Sequence, residues 1–227
     1  MKDIAKNHFI GEFMIDEELC DKMIELHNSI SLATKEQLAQ EIPMLMSKKE
    51  IFGVGDGDPK GKTSTDLAIH PVLFTDPKSC PPENRPHVRV ALSYWMELQM
   101  CMNKYKELLT NSNTERWIGS LNKIHINDHM IIQHYKPGQG FAEWHAERAC
   151  LTMNRALVYM TYLNDVPDGG TLFEFQDLTV KAEKGKTLIW PAEFTHIHKS
   201  QISKDFEKYI VTGWFSYDRK EQVMGCF

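Results

Sequence analysis

The sequence predicts a mainly β chain with helices in its N-terminal half, built as an antiparallel sandwich or barrel with the helices packed on one sheet. Three features carry this. From Ile124 onward roughly seven short β-rich runs follow one another, linked by DGG and KGK turns, a spacing that suits antiparallel pairing better than βαβ units. Upstream lies a long amphipathic helix whose broad apolar stripe needs a sheet to cover it. The run Ala156 to Tyr162 is apolar on both faces, so one side meets an opposing sheet and the other a helix. Since the helix has nowhere else to bury its stripe, residues 1–227 read as one domain. It divides into a helical support and loop region over 1–123, a β core over 124–217 and a tail over 218–227.

Taken in order, Asp16 to Ile30 forms the first helix. Asp16 caps it, Glu17 and Glu18 suit the positive end of the helix dipole, and Leu19, Cys20, Met23, Ile24 and His27 share a face. A short helix is expected over Thr34 to Gln40. The run GVGDGDPKGKTS, Gly53 to Ser64, invites comparison with a phosphate-binding loop, but the first glycine of that motif would fall on Asp56. Pro59 and Pro71 also bar the long helix that would hold the phosphate, so the run reads as a loop near a substrate. The long helix covers about Val88 to Leu109, with Ala91, Tyr94, Trp95, Leu98, Cys101, Met102, Tyr105 and Leu108 on its stripe. The strands are then Met130 to Tyr135, Ala156 to Tyr162, Thr171 to Phe175 after a VPDGG turn, Leu178 to Ala182, Thr187 to Trp190 after an EKGK turn, a histidine-bearing run, and Lys208 to Tyr217.

Composition narrows the function. Hydrophobic and charged fractions of 42% and 25% are those of a globular protein. A formal charge of −5 without a basic block argues against a nucleic-acid partner, and no run suits a membrane span or a secretory leader. Five scattered cysteines with no C-x-x-C pair suit reduced thiols, and a cytoplasmic location is expected.

The residues that point to chemistry lie in YKPGQGFAEWHAE, Tyr135 to Glu147. His145 and Glu147 are two apart, so in an extended strand an imidazole and a carboxylate converge on one point. WPAEFTHIHKS adds His196 and His198. Two histidines and one carboxylate form the facial set of non-haem iron(II) oxygenases, whereas a structural zinc would draw four protein ligands, commonly with cysteine. Lys208, ten residues past His198, can return on a hairpin into the same barrel. A buried lysine needs a partner, and a dicarboxylate chelating the metal supplies one. The charges of iron(II), Glu147, a 2-oxoglutarate dianion and Lys208 then cancel.

With these residues in view, Tyr135 to Tyr217 resembles the catalytic core of iron(II)- and 2-oxoglutarate-dependent oxygenases of the prolyl and lysyl hydroxylase type. The shared features are Y-x-P-G with H-x-[DE] ten residues after its tyrosine, YLND before a GG turn and an aromatic strand, K-G-x-x-L-x-[WF]-P, a late histidine, and [RK]-Y with a tryptophan six residues on, here Lys208, Tyr209 and Trp214. The D-E-E-L-C-D helix is similar to one that opens many members. The resemblance implies a double-stranded β-helix (jelly roll). It assigns His145 and Glu147 to iron and Lys208 to the remote carboxylate of 2-oxoglutarate, and matches Tyr135 and Tyr162 to tyrosines on or near that cosubstrate. Counting from Pro191 selects His196 as the third ligand. Counting back from Lys208 selects His198, which the similar T-H-x-H run of lysyl hydroxylases also favours, leaving His196 beside the site. Most relatives carry aspartate where this chain has Glu147, and the longer side chain raises the question of two-oxygen chelation.

The implied activity is a dioxygenase using Fe(II), 2-oxoglutarate and O2, with ascorbate as a candidate accessory reductant. It would hydroxylate a C–H bond of a peptidyl or small-molecule substrate with release of succinate and CO2. A non-catalytic, cupin-like jelly roll that binds a metal or small ligand is the alternative, and a zinc-dependent hydrolase a weaker third.

Overall fold

The computed structural model describes residues 8–31, 52–56, 61–71, 85–110 and 113–217. The short helix expected over Thr34 to Gln40 and the tail over 218–227 lie outside the described residues. The N-terminal elements are β1 (Gly11–Met14), α1 (Glu17–Ser31), β2 (Phe52–Asp56), β3 (Thr65–Ile69) and α2 (Arg85–Leu109), followed by short helical turns over Glu115–Ile118 and Gly119–Lys123. Then come β4 (Ile124–His125), β5 (Met130–Tyr135), β6 (Arg155–Tyr162), β7 (Val166–Phe173), β8 (Leu178–Ala182), β9 (Lys186–Pro191), β10 (His198–Ser200) and β11 (Lys208–Tyr217).

The Asp16 carboxylate accepts the Glu18 N–H at 2.8 Å and caps α1, as its sequence suggests. α2 starts at Arg85, three residues ahead of Val88, because Pro86 costs nothing in a first turn whose N–H groups have no partner in the helix. No helix among the described residues is long and apolar enough to cross a membrane.

All the sheet pairs are antiparallel. Eight strands form one sheet in the order β1-β9-β6-β11-β5-β3-β2, with β4 also on β11, and β10-β7-β8 form a second, three-stranded sheet. Two-residue periodicity divides the large sheet between two cores. On β6, Leu157 and Tyr159 pack with Leu19, Met23, Tyr94 and Leu98 of the helices, while Val158, Met160 and Tyr162 pack with Phe173 and Val180 of the small sheet. The double-sided apolar run therefore does what its composition requires. Burying 40 Å² of such surface contributes ~1 kcal/mol, so both layers are held chiefly by these faces. On β11, Val211 and Phe215 belong to the helix side, whereas Ile210 faces the small sheet.

Two expectations are corrected. The sequence predicts a loop from Gly53, yet β2 pairs with β3 from Phe52↔Ile69 to Asp56↔Thr65, and β3 continues onto β5. Backbone pairing at the open edge of a sheet needs no apolar alternation, so Gly53 and Gly55 conceal the strand. The sequence predicts a turn at VPDGG, but the stretch lies within β7, whose register with β8 shifts between Val166 and Thr171. The glycines there make a bulge. A Cβ on Gly170 would sit 2.3 Å from the Val180 carbonyl oxygen, so only glycine admits β8 at that distance.

Candidate metal centre and adjoining cavity

After β5 the chain turns at Pro137–Gly138 and runs as an irregular extended segment alongside β10. Its backbone is tied on both sides. Thr63 and Ala142 N–H donate to the Gly140 and Gly61 carbonyls at 3.1 and 3.2 Å, linking it to the stretch before β3. On the other side His145 N–H donates to His198 O at 3.1 Å and His198 N–H to His145 O at 2.9 Å. The sequence placed His145 and Glu147 on a strand. They lie instead on a segment tied only by isolated bridges, Lys62↔Phe141 and His145↔His198, the second of which brings both histidines to one place.

Potential ligand atoms of His145, Glu147 and His198 lie within 4.8 Å of one another. Glu147 Oε1 is 3.5 Å from His145 Nε2 and 3.7 Å from His198 Nε2. The outer ring nitrogens fix the tautomers. His145 Nδ1 is 2.9 Å from the Glu143 carbonyl and His198 Nδ1 is 3.0 Å from the His196 carbonyl. A carbonyl only accepts, so each Nδ1 carries a proton and each ring turns its Nε2 toward Glu147 and the cluster. Phe141 stacks on His145 with centroids 3.7 Å apart, while Trp190 and Phe173 flank His198 at 5.1 and 5.6 Å. The rings have little room to turn.

Glu147 divides its two oxygens. Oε1 faces the histidines, and Oε2 accepts from Trp214 Nε1 at 3.0 Å and from an Arg155 guanidinium nitrogen at 3.3 Å. Burial raises the Glu147 carboxyl, but the hydrogen bonds and charge of His145 and His198 outweigh it and hold the group well below the usual carboxylate range. An anion is thus ready for a cation.

His196 is elsewhere. Its Nε2 lies 2.8 Å from the His8 carbonyl and its Nδ1 2.9 Å from the Thr195 hydroxyl, so the ring is spent on the N-terminal stretch. Its contribution to the cluster is the backbone carbonyl that orients His198.

The cluster opens on a cavity of about 200 Å³ between the sheets. Alternation on β5, β6 and β11 sends Tyr135, Tyr162 and Lys208 to its wall, and the register pairs Lys208↔Tyr135 and Ile210↔Tyr162. Lys208 is 4% exposed, and its ammonium donates to the Gly169 carbonyl at 2.9 Å, the Gln201 carbonyl at 3.0 Å and the Ser200 hydroxyl. All three acceptors are neutral. Burial lowers the Lys208 ammonium from 10.5 to about 8, with Asp168 opposing it. A buried cation on a cavity wall, with no carboxylate hydrogen-bonded to it among the described residues, suits an anionic ligand. The Tyr135 hydroxyl donates to Gln133 at 2.7 Å, and Tyr162 and Thr171 hydroxyls lie 2.6 Å apart. Burial pushes both phenols up, so they stay neutral donors.

The structure therefore brings together His145, Glu147, His198, Lys208, Tyr135 and Tyr162, and leaves the His196 ring outside. Sequence reasoning missed Arg155, Gln133 and Thr171 as site residues. Their only signal was position: Arg155 opens β6, and Gln133 shares the cavity-facing parity of Tyr135. Lys62, from the rejected phosphate-loop motif, lines the cavity and pairs with Asp66.

Comparison with known proteins agrees with this geometry. Residues 130–216 match the family described as the 2OG-Fe(II) oxygenase superfamily. Among solved structures, the viral collagen prolyl hydroxylase of Paramecium Bursaria Chlorella virus-1, in a 2OG complex, is 16% identical, covering 92% of this chain and 97% of that one with a TM-score of 0.57. A Pseudomonas putida prolyl-4-hydroxylase is 15% identical, with 95% and 96% covered and a TM-score of 0.55. A Trichoplax adhaerens prolyl hydroxylase in complex with a hypoxia inducible factor peptide fragment is 14% identical, with 99% and 90% covered and a TM-score of 0.58. At these identities the likeness is one of fold. No curated protein matches the sequence.

Proposed function

We propose that this chain, which belongs to the 2OG-Fe(II) oxygenase superfamily through residues 130–216, is an iron(II)- and 2-oxoglutarate-dependent hydroxylase of peptidyl substrates. The observation that carries this is the His145, Glu147 and His198 cluster facing the same cavity as the buried ammonium of Lys208. The donor set fits iron(II): two imidazoles and one carboxylate, no thiolate, and open positions for other ligands. When bound, iron(II) supplies the coupled oxidation in which O2 converts 2-oxoglutarate to succinate and CO2 while a substrate C–H bond becomes C–OH.

The protein's own part is placement and shielding. His145 and His198 present fixed lone pairs, and Glu147 offers one anionic oxygen. His198 rather than His196 is the third ligand in this reading, supported by the engagement of both His196 nitrogens elsewhere. Lys208 holds the far carboxylate of 2-oxoglutarate with a charge-assisted hydrogen bond. Tyr135 and Tyr162 border that carboxylate, and Met160, Ile210 and Trp190 keep the intervening wall apolar. Shared packing of helices and strands in one core supports treating 1–227 as a single oxygenase domain. The peptide held by the Trichoplax relative supports a peptidyl substrate. Cys20 and Cys101, buried as free thiols, support a reducing, cytoplasmic setting.

The test supplies purified protein with Fe(II), 2-oxoglutarate, O2 and a panel of proline-containing peptides. Succinate should form in step with a peptide that gains one oxygen atom. Iron-loaded protein that yields no succinate with any peptide would favour the non-catalytic jelly roll, and metal-dependent cleavage without 2-oxoglutarate would favour the hydrolase.

A further inference from the structure

We propose that Arg155 and Trp214 act as positioning residues that clamp the second oxygen of Glu147, so that glutamate, and not the shorter aspartate, is the carboxylate this site is built for. This rests on His145, Glu147 and His198 being a metal site, and it explains why this chain departs from the family's commoner aspartate.

Both clamp residues come from regular strands, whereas Glu147 lies on an irregular segment. Arg155 is the first residue of β6, and Trp214 stands on β11 with its side chain toward the small-sheet core. The Arg155 guanidinium carbon lies 3.3 Å over the Trp214 ring, and its Nε reaches Asp128 at 3.4 Å. Anchored in this way, one Arg155 nitrogen meets both the Glu147 carboxylate at 3.3 Å and the Glu147 main-chain carbonyl at 3.2 Å. The Thr152 hydroxyl donates to that same carbonyl at 2.9 Å. The backbone and the carboxylate of Glu147 are therefore both held, by donors fixed independently of any metal. With Trp214 Nε1 and Arg155 on Oε2, only Oε1 points at the histidines, so the extra methylene serves to reach the clamp and does not lead to two-oxygen chelation.

Aspartate is shorter by one C–C bond, about 1.5 Å. On the same backbone its carboxylate could meet the histidine-facing position or the clamp, but not both. An aspartate drawn to the metal would leave the indole N–H without this acceptor and take one carboxylate partner from the partly buried guanidinium, which keeps Asp128 and the main-chain carbonyl, a penalty that falls on metal binding.

The experiment measures Mn(II) and Co(II) affinity by calorimetry without turnover, in wild type, Glu147→Asp, Arg155→Met, Trp214→Phe, and the double variants Glu147→Asp/Trp214→Phe and Glu147→Asp/Arg155→Met. Thermal unfolding confirms that each is folded. Outer partners of metal ligands typically contribute 10- to 100-fold in affinity. Glu147→Asp should therefore weaken binding by at least tenfold in the wild-type background and by less than threefold where the clamp is removed, because the two changes break one interaction. The splitting of the carboxylate stretching bands in the infrared should indicate one-oxygen ligation in wild type and shift toward two-oxygen ligation in Trp214→Phe and Arg155→Met. Wild-type protein that binds neither metal overturns the site and the clamp together. Wild-type binding with Glu147→Asp equally tight, or with fully additive penalties, overturns the clamp and leaves the metal site standing.

Discussion

Lys208→Met separates binding from stability with opposite demands on one side chain. The substitution keeps most of the volume and removes the charge. Burial lowers the Lys208 ammonium from 10.5 to about 8, and at ~1.4 kcal/mol per pH unit the charged form is disfavoured by about 3 kcal/mol. Its hydrogen bonds to Gly169, Ser200 and Gln201 return roughly 1 kcal/mol each. The gain and the loss nearly offset, so the variant without ligands should unfold within about 1 kcal/mol of wild type. Ligand binding has no such compensation. A cosubstrate carboxylate buried without its cation loses about 3–4 kcal/mol, which is a 10²- to 10³-fold weaker Kd for 2-oxoglutarate. Urea denaturation gives the first quantity and anaerobic calorimetry with Mn(II) the second. A loss of 2-oxoglutarate affinity below fivefold would refute the assignment of Lys208. So would destabilisation by several kcal/mol, because the side chain would then be structural.

Three further outcomes follow from the same geometry. The Lys208 cation is lost as pH rises through about 8, so 2-oxoglutarate affinity should be flat below that pH and fall about tenfold per unit above it; calorimetry from pH 6 to 10 showing no fall would contradict a charged contact. His198→Ala should abolish metal binding, while His196→Ala, whose carbonyl stays in place, should leave it within tenfold; equilibrium dialysis giving the reverse order would exchange the two assignments. Gly170→Ala forces a Cβ to 2.3 Å from the Val180 carbonyl and must move the bulge that carries the Gly169 carbonyl to Lys208, so it should cost about 2–4 kcal/mol and weaken 2-oxoglutarate binding; a neutral result in both assays would show that β7 and β8 are free to separate.

How much was legible in the sequence depended on whether the signal was local. Met130–Tyr135, Leu178–Ala182 and Lys208–Tyr217 were read with the bounds observed, because their alternation is set by two faces with distinct surroundings. The edge strand β2 was not, since its partner supplies backbone hydrogen bonds that ask nothing of Gly53 or Gly55. In the site, H-x-E and the late histidines could be found by spacing and resemblance. The geometry that favours His198 over His196 in the proposed site rests on two remote facts, the bridge to His145 and the His8 carbonyl that takes the His196 ring. The Arg155 contact was out of reach, because Arg155 lies eight positions beyond Glu147, across irregular chain and a short 3-10 turn, and only the fold returns it to the same oxygen. Long-range polar contacts of this kind leave no period in the sequence.

The central claim is that metal and 2-oxoglutarate share one cavity, held by His145, Glu147 and His198 on one side and Lys208 on the other. It is tested most directly by anaerobic titration of 2-oxoglutarate into protein with and without bound Mn(II). Two linked ligands change each other's affinity by the same factor, and a cosubstrate that chelates the metal makes that change a gain. The account predicts at least tenfold tighter 2-oxoglutarate binding with metal, the same gain in metal affinity with 2-oxoglutarate, and loss of both in His198→Ala. Equal 2-oxoglutarate affinity with and without metal would contradict it.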